Sequence, residues 1–408
     1  MPSLPPTGLP QDVVRPGTDD IVTSPGYHSP SKLYLAQRGS ARVIKPAPTL
    51  ADAQTGAQML MRPFASFPWA DEQQRGVVLL AALLAVIRQM FAMAPGVAIS
   101  APVASSGKTL ASQVLAILAT GSEVPVYTMP PNLDKQEKRL LGMFLGGRRA
   151  FILDNITSRF DSSALNAAIT SEFWESRILA QSKTTCVSIR VLILANGNNL
   201  SMAGDVSSRF LYLALAATSE RPEDRTSAEF DVADLKEWTI RHRQGLVAAA
   251  LMLIRAYLIE CRRVGGVPPE VLERRQVPGS RFPAIEVLRN GLLWVGESDG
   301  FVGFLAAAGH DEQREDRVLM INAVAEALAS GAGPSRALTA AQLIEKLFNK
   351  RDLLEHVLAQ GRGPDRAIIS PIRLGKWLNK NLVGGVYDGK KHCTRREHNH
   401  AVYWVEEV

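Results

Sequence analysis

Cysteine is scarce in this chain: Cys186, Cys261 and Cys393 are the only three in 408 residues, and no CxxC pair occurs. That excludes a disulfide framework and a zinc-finger scaffold, and it points to a reducing, cytoplasmic setting. Long apolar runs are missing as well. Gly76–Ile87 is apolar throughout but much too short to span a bilayer, and Arg88 closes it. It reads as a buried helix, and no membrane partner is expected. The first residues are Pro-rich and polar rather than basic and then apolar, so no signal peptide is expected. What remains is 46 % hydrophobic content, enough to fill the cores of roughly two or three domains. The formal charge of +6 leans towards an acidic partner.

The most informative stretch lies between residues 101 and 209. Pro102-Val-Ala-Ser-Ser-Gly-Lys-Thr109 follows the apolar run Gly96–Ser100 and precedes the helix-like Leu110–Leu118. Strand, loop and helix in that order are the setting in which a Walker A phosphate loop is credible. Unpaired backbone N–H groups of Ser105, Ser106, Gly107, Lys108, Thr109 and Leu110 would surround the phosphates of ATP at the positive end of the helix dipole. Lys108 would reach the β- and γ-phosphates, and the Thr109 hydroxyl would bind Mg²⁺. The usual first glycine is Pro102 here, and Ala104-Ser-Ser106 fills the middle of the loop.

Three further pieces follow in the order an oligomeric ATPase needs. Ala150-Phe-Ile-Leu-Asp-Asn155 is an apolar strand ending in a carboxylate, and Asp154 would bind the Mg²⁺ through water. The next residue is Asn155 rather than the glutamate that often polarises the attacking water, which leaves Glu172 as a weak candidate base. The strand Arg190–Ala195 runs into Asn196-Gly-Asn-Asn199, where Asn196 suits a sensor of the γ-phosphate. Gly204-Asp-Val-Ser-Ser-Arg209 then supplies an arginine suited to a finger reaching a neighbouring subunit's ATP. Arg177 and Arg190 are further candidates for the ATP interface. Between Arg177 and Arg190, apolar alternation on either side of Ser182–Thr185 predicts a hairpin with Lys183 at its tip. Such a lysine would grip the backbone of single-stranded DNA without reading its sequence.

The pattern along the chain divides it into five regions. Residues 1–48 read as an extended arm, 49–94 as a helical collar, and 95–218 as a three-layer α/β core with a parallel sheet. Residues 219–330 read as a helical lid. Residues 335–408 place helices before a hairpin, which suggests a winged helix-turn-helix. There Arg373, Lys376, Lys380, Lys390, Lys391, Arg395 and Arg396 stand against Asp388 and Glu397, a cluster that would neutralise DNA phosphates. His392, Cys393, His398 and His400 match no standard metal-ligand spacing.

The core motifs are joined by Lys135-Gln-Glu-Lys-Arg-Leu140, Trp174-Glu-Ser-Arg-Ile-Leu179, Glu220-Arg-Pro-Glu-Asp-Arg225 and the run Arg241–Leu251. Together they resemble the AAA+ ATPase module of phage- and integrative-element-encoded primase–helicase proteins, related in design to superfamily 3 helicases and to staphylococcal cassette helicases. The resemblance runs from about Leu50 to Val295. It implies a P-loop AAA+ fold, ATP and Mg²⁺ as ligands, single- and double-stranded DNA as partners, and a homo-oligomer, a hexamer in the expected form. That family also carries Asp-Asn after its Walker B strand. Residues suited to primer synthesis are missing, so either a separate primase is a partner or the chain takes no part in priming. The function implied is an ATP-dependent DNA translocase or helicase acting in the replication of a mobile element. The alternative is an ATP-gated replication initiator or loader that binds DNA without unwinding it.

Overall fold

A computed structural model of the protein describes residues 44–407 apart from 104, 131, 157–159, 161, 178–183, 203, 217–231, 233, 278, 280–281, 283–284, 310–311, 330–336, 360–368, 384–385 and 398–399. Before residue 44 it describes two short antiparallel ribbons, β1 (Val13–Val14) with β2 (Ile21–Val22) and β3 (Gly26–His28) with β4 (Leu33–Leu35). The chain forms two compact units, residues 1–310 and 311–408.

In the first unit, α1 (Leu50–Met61) starts at a capping box in which Thr49 and Asp52 satisfy each other's backbone N–H groups. The apolar run becomes α2 (Gln74–Ile87), which begins two residues before Gly76, where Asp71 accepts from the Gln74 N–H. β5 (Gly96–Ala101) is buried along its whole length. α3 (Lys108–Thr120) opens and closes on glycines with positive φ, Gly107 and Gly121. β6 (Val126–Tyr127), α4 (Leu133–Leu145), β7 (Ala150–Ile156) and α5 (Ser163–Ile169) follow. An antiparallel hairpin, β8 (Phe173–Arg177) and β9 (Thr184–Ser188), then leads into β10 (Leu192–Asn198) and β11 (Phe210–Ala214).

The sheet has five strands in the order β11-β5-β10-β7-β6, and every neighbouring pair is parallel. From β5 the chain crosses to the far edge at β6, returns through β7 and β10, and finishes beyond β5 at β11. That reversal of strand order opens a crevice outside the carboxyl ends of β5, β7 and β10, where α/β sheets bind ligands.

The helices that the sequence pattern divides into collar and lid share one hydrophobic core with this sheet. α6 (Leu235–Val264) is long and apolar enough to cross a membrane by length and composition, but its apolar residues Leu246, Leu251 and Leu253 are buried in that core. It lies so close to α1 that a Cβ on Gly56 would stand 2.8 Å from the Ala249 carbonyl oxygen. Arg243 of α6 donates to the Ile117 and Leu118 carbonyls at the end of α3, at 2.8 and 3.0 Å. A cation there complements the negative end of the helix. After α7 (Pro269–Glu273), α8 (Glu286–Trp294) is pinned by a fully buried pair to the segment that leads into α9 (Val302–Gly309). Arg289 donates to both oxygens of Asp299, at 2.8 and 2.6 Å, and its guanidinium stacks on Phe301.

The second unit begins with α10 (Glu312–Ala329), which the sequence pattern had grouped with the preceding lid. Met320, Ile321 and Val324 of α10 pack instead with Leu343, Leu374, Leu378 and Tyr403 of the C-terminal core. β12 (Leu338–Thr339), α11 (Ala340–Lys346), α12 (Arg351–Ala359) and α13 (Pro371–Asn381) come next. β13 (Val386–Tyr387), β14 (Lys390–Glu397) and β15 (His400–Glu407) complete an antiparallel sheet ordered β12-β15-β14-β13. Asp388 and Gly389, both at positive φ, make the tight turn between β13 and β14.

Candidate functional site

Four non-glycine residues have positive φ among those described, and three of them sit at the carboxyl edge of the parallel sheet: Ser105 (59°), Asn155 (57°) and Asn199 (43°). They follow β5, lie within the last turn of β7, and follow β10. Backbone held in so sparsely populated a region concentrates at functional sites, because the surroundings must hold it there.

The side chains around these bends are polar and in contact. The Thr109 hydroxyl donates to Asp154 Oδ2 at 2.9 Å, which joins the start of α3 to the end of β7. Asp154 is further oriented by the Asn155 N–H, which donates to its Oδ1 at 2.8 Å. The Lys108 ammonium donates to the Val103 carbonyl oxygen at 2.9 Å, and the Ser106 hydroxyl donates to the same oxygen at 2.7 Å. The loop is thus closed on its own lysine. Burial pushes the Lys108 pKa down, and the nearby Asp154 carboxylate opposes that shift. Gly107 has φ 89°, and a Cβ there would meet the Phe67 ring at 3.2 Å. Both facts make glycine the fitting residue at the helix start. Leu110 packs partly buried against the core, and Ala104 lies outside the described residues. A hydroxyl beside a carboxylate is an oxygen set suited to a hard divalent cation, so Thr109 and Asp154 fit Mg²⁺.

Asn196 is not at the strand tip. It is fully buried, its Oδ1 accepts from the Ser112 hydroxyl at 2.6 Å, and its Nδ2 has no partner. β10 runs three residues further than its sequence pattern suggested, with Asn198 level with Ala101 at the end of β5. Residues 196 and 198 share a face of the strand. Asn196 meets α3 one turn below Lys108, so Asn198, two residues up and exposed, stands level with the loop.

Arg209 and Glu172 lie at the opposite edge. β11 pairs Phe210 with Gly96, the first residue of β5, so Arg209 precedes the amino edge of the sheet, about 16 Å of strand from its own chain's loop. Its side chain is 13 % exposed, and its guanidinium donates to Asp205 Oδ2 at 2.8 Å. Glu172 sits where the β8–β9 hairpin leaves the sheet, at the start of β10, and accepts from Arg190 at 2.7 Å. It cannot serve as the base at its own site, and Arg190 is part of the same hairpin base. Arg88 completes that base. It is fully buried and donates to three carbonyls, of Val191 (3.0 Å), Ile189 (3.2 Å) and Phe91 (2.6 Å). Burial first, and Arg190 second, push its pKa down to about 9, so it stays charged at neutral pH. No local sequence pattern marks this residue. Lys183 and the Arg177 side chain lie outside the described residues.

In the second unit, the basic residues separate into two groups. Lys390 pairs across the strands with Glu407, and Lys391 with Glu406. Arg395 forms an ion pair with Glu397, and Lys390 lies 3.8 Å from Asp388. The hairpin's Lys390, Lys391, Arg395 and Arg396 are therefore offset by Asp388, Glu397, Glu406 and Glu407, two of which the sequence reading did not count. Helix α13 carries Arg373, Lys376 and Lys380 with no acidic residue; the Lys380 side chain lies outside the described residues. His392 is buried beneath Tyr403 with neither ring nitrogen paired, and burial pushes its pKa down to about 4.

No family model and no curated protein matches the chain. Among solved structures it is similar to the apo A form of the C-terminal region of NrS-1 (305–718), at 12 % identity and a TM-score of 0.38, over 91 % of this chain and 80 % of that one. A likeness that slight assigns no role to any residue.

Proposed function

We propose that the chain is an ATP-dependent DNA translocase that works as a ring of identical subunits, in the manner of mobile-element replicative helicases. The observation that carries this reading is the convergence of three bent backbones, the Thr109–Asp154 contact and Lys108 at one sheet edge. In this reading residues 102–109 form the P-loop of an AAA+ core. Lys108 and the backbone N–H groups of Ser105–Leu110 bind the phosphates. Thr109 and Asp154 hold Mg²⁺, which would neutralise charge building on the γ-phosphate. Asn198 takes the sensor role from Asn196, which positions α3 through Ser112.

Arg209 is too far from its own loop, so it would act on the next subunit's ATP and stabilise the transition state there. The β8–β9 hairpin, with Lys183 in its turn, would contact single-stranded DNA, and the second unit would serve as a winged helix on duplex DNA. An ATP-gated initiator that loads on DNA without unwinding it is the second reading. Asn155 in place of a glutamate after Asp154, with Glu172 at the opposite edge, favours it, since a slow hydrolase suits a switch better than a motor.

ATP turnover with and without single-stranded DNA, measured together with the mass in solution, tests both. Stimulation by single strands in a ring-sized assembly is expected. Slow, unstimulated turnover with ATP-dependent duplex binding would replace the motor with the initiator.

A further inference from the structure

The end of β7 carries an irregularity that the phosphate loop by itself does not require. Pairing with β10 is regular up to Leu153, level with Ala195, and resumes with Ile156 level with Gly197. Asp154 and Asn155 therefore share the single place opposite Asn196. That is a β-bulge, a device rare between parallel strands and frequent beside active sites, where it re-aims a side chain. The register fixes the direction. Ala195 and Gly197 lie on one face of the sheet and Asn196 on the other. Leu153 and Ile156 belong to the first face, so the two residues between them share the second. In an unbroken strand Asn155 would point away from Asp154. The bulge turns both towards α3, which Asp154 meets through Thr109 and Asn196 meets through Ser112. Two local features hold the bend. Asn155 has φ 57°, and Gly197 leaves room that a Cβ, 2.5 Å from the Ile156 carbonyl oxygen, would close. The chemistry on that face is one-sided. Both Asp154 oxygens accept hydrogen bonds, from the Thr109 hydroxyl and the Asn155 N–H. Asn155 itself is exposed, and its amide has no partner among the described residues. Asp154 is the one carboxylate in β5, β7, β10 and residues 102–109, and Glu172 lies at the opposite edge. An amide donates and accepts hydrogen bonds but carries no site that takes up a proton at neutral pH.

We infer that Asn155, turned by the bulge, orients the attacking water, and that no side chain of the protein takes the water's proton. This proton route rests on the reading of the edge as an ATP-hydrolysing site and deepens that reading. The water oxygen bonds to the γ-phosphorus. The bond from that phosphorus to the β–γ bridging oxygen breaks, and its electron pair leaves on ADP. One proton of the water passes to a γ-phosphate oxygen, so the products are ADP and dihydrogen phosphate, and no further reactant is needed. The protein's part is positioning and charge, as phosphoryl transfer requires.

The test measures ATP turnover by the full chain and, separately, its binding of ADP and of ADP with aluminium fluoride, a mimic of the phosphoryl group in transfer. Asn155→Ala and Asn155→Gly should each lower turnover by about 10²-fold, the usual cost of a misplaced reacting group. Both should weaken the ADP–aluminium fluoride complex by about tenfold and leave ADP binding unchanged, which also shows that the variants fold. Glycine suits the positive φ, so it separates the amide from the backbone it sits on. Asp134→Asn, Glu137→Gln, Asp161→Asn and Glu172→Gln should each keep turnover within a few-fold of the wild type. An Asn155→Gly protein that turns over ATP at the wild-type rate would overturn the water-orienting role. One amide variant that binds ADP normally and is inactive would identify a protein base and overturn the proton route. Either result leaves the ATP-site reading standing. A wild type that binds no ATP, or binds it without turnover, would remove that reading and the inference together.

Discussion

At the carboxyl edge of the parallel sheet the backbone is bent at Ser105, Asn155 and Asn199, and Lys108, Thr109 and Asp154 lie in contact around those bends. At the amino edge the backbone is regular and firmly tied. Arg88 binds three carbonyls, Arg190 binds Glu172, and Arg209 binds Asp205. About 16–20 Å of strand separates the two edges. Conformations that resist folding are kept where a ligand would hold them. The fastenings lie where the hairpin and the proposed finger leave the sheet. β10 belongs to both edges, with Ile189 and Arg190 leading into it and Asn198 ending it. It connects the proposed ATP site directly to the base of the proposed DNA hairpin.

The largest expected effect tests whether the edges of different subunits cooperate. Arg209→Ala should lower turnover by about 10³-fold with little change in nucleotide binding, as expected of a charge that would be used only in the transition state. Lys108→Ala should lose nucleotide binding as well. Mixing the two inactive variants should restore part of the activity, since each supplies the edge the other lacks. If mixing restores nothing while mixed rings form, Arg209 does not act between subunits.

Arg88→Met removes a buried cation from three carbonyls at the amino edge. Each orphaned carbonyl is costly to leave buried, and a loss of about 3 kcal/mol is expected, read as a lower denaturant midpoint. An unchanged midpoint would mean that the hairpin base is not a fastening.

The second unit provides a control that ought to be indifferent to both edges. His392 ionises at about 4 in the fold against an ordinary 6.5, so burial favours its neutral form. The stability that depends on it is complete above 6.5 and is lost as pH falls towards 4, because the unfolded chain takes up the proton first. The loss amounts to about 3 kcal/mol at the acid end. His392→Leu should flatten that dependence in the unit's melting curve. A dependence that persists in the variant would assign it to other groups.

A smaller, selective effect is expected at the hairpin base. Arg190→Ala and Glu172→Gln loosen one exposed-side ion pair, worth about 1 kcal/mol or less in stability. Basal turnover should therefore be unaffected, while stimulation by single-stranded DNA should fall severalfold. Equal loss of basal and stimulated turnover would show that the pair acts on the fold as a whole.

Much of this arrangement was legible locally. The strand–loop–helix around Lys108, the apolar strand ending at Asp154 and the hairpin before β10 are each written in adjacent residues. What escaped was non-local. Glu172 looked like a nearby carboxylate until the strand order placed it at the other edge. Arg88 looked like the charged end of an apolar run, although it fastens a hairpin a hundred residues on. Glu406 and Glu407 cancel two lysines only because β14 and β15 pair in one particular register. α10 changed allegiance because its apolar face meets Leu343 and Tyr403 rather than the helices before it. The end of β10 was misjudged because glycine and asparagine signal a turn, while pairing with β5 carries the strand on to Asn198.

That last correction can be tested on its own, and it yields the finest distinction between the edges. Asn196 and Asn198 point to the same face of β10, but only Asn196 is enclosed and bonded to α3. Ser112→Ala would remove the hydroxyl that meets Asn196 Oδ1 and leave a buried amide without any partner. A stability loss of about 1–3 kcal/mol is expected, with turnover per folded molecule reduced only a few-fold. Asn198→Ala should do the reverse. Its side chain is exposed, so stability should hold within about 0.5 kcal/mol, while turnover falls further than it does for Ser112→Ala. The two variants thus exchange their effects if the γ-phosphate is addressed from the strand's true end. If Asn198→Ala turns over ATP at the wild-type rate and Asn196→Ala is folded but inactive, the sensor lies one step inside the strand, and Ser112 is its holder.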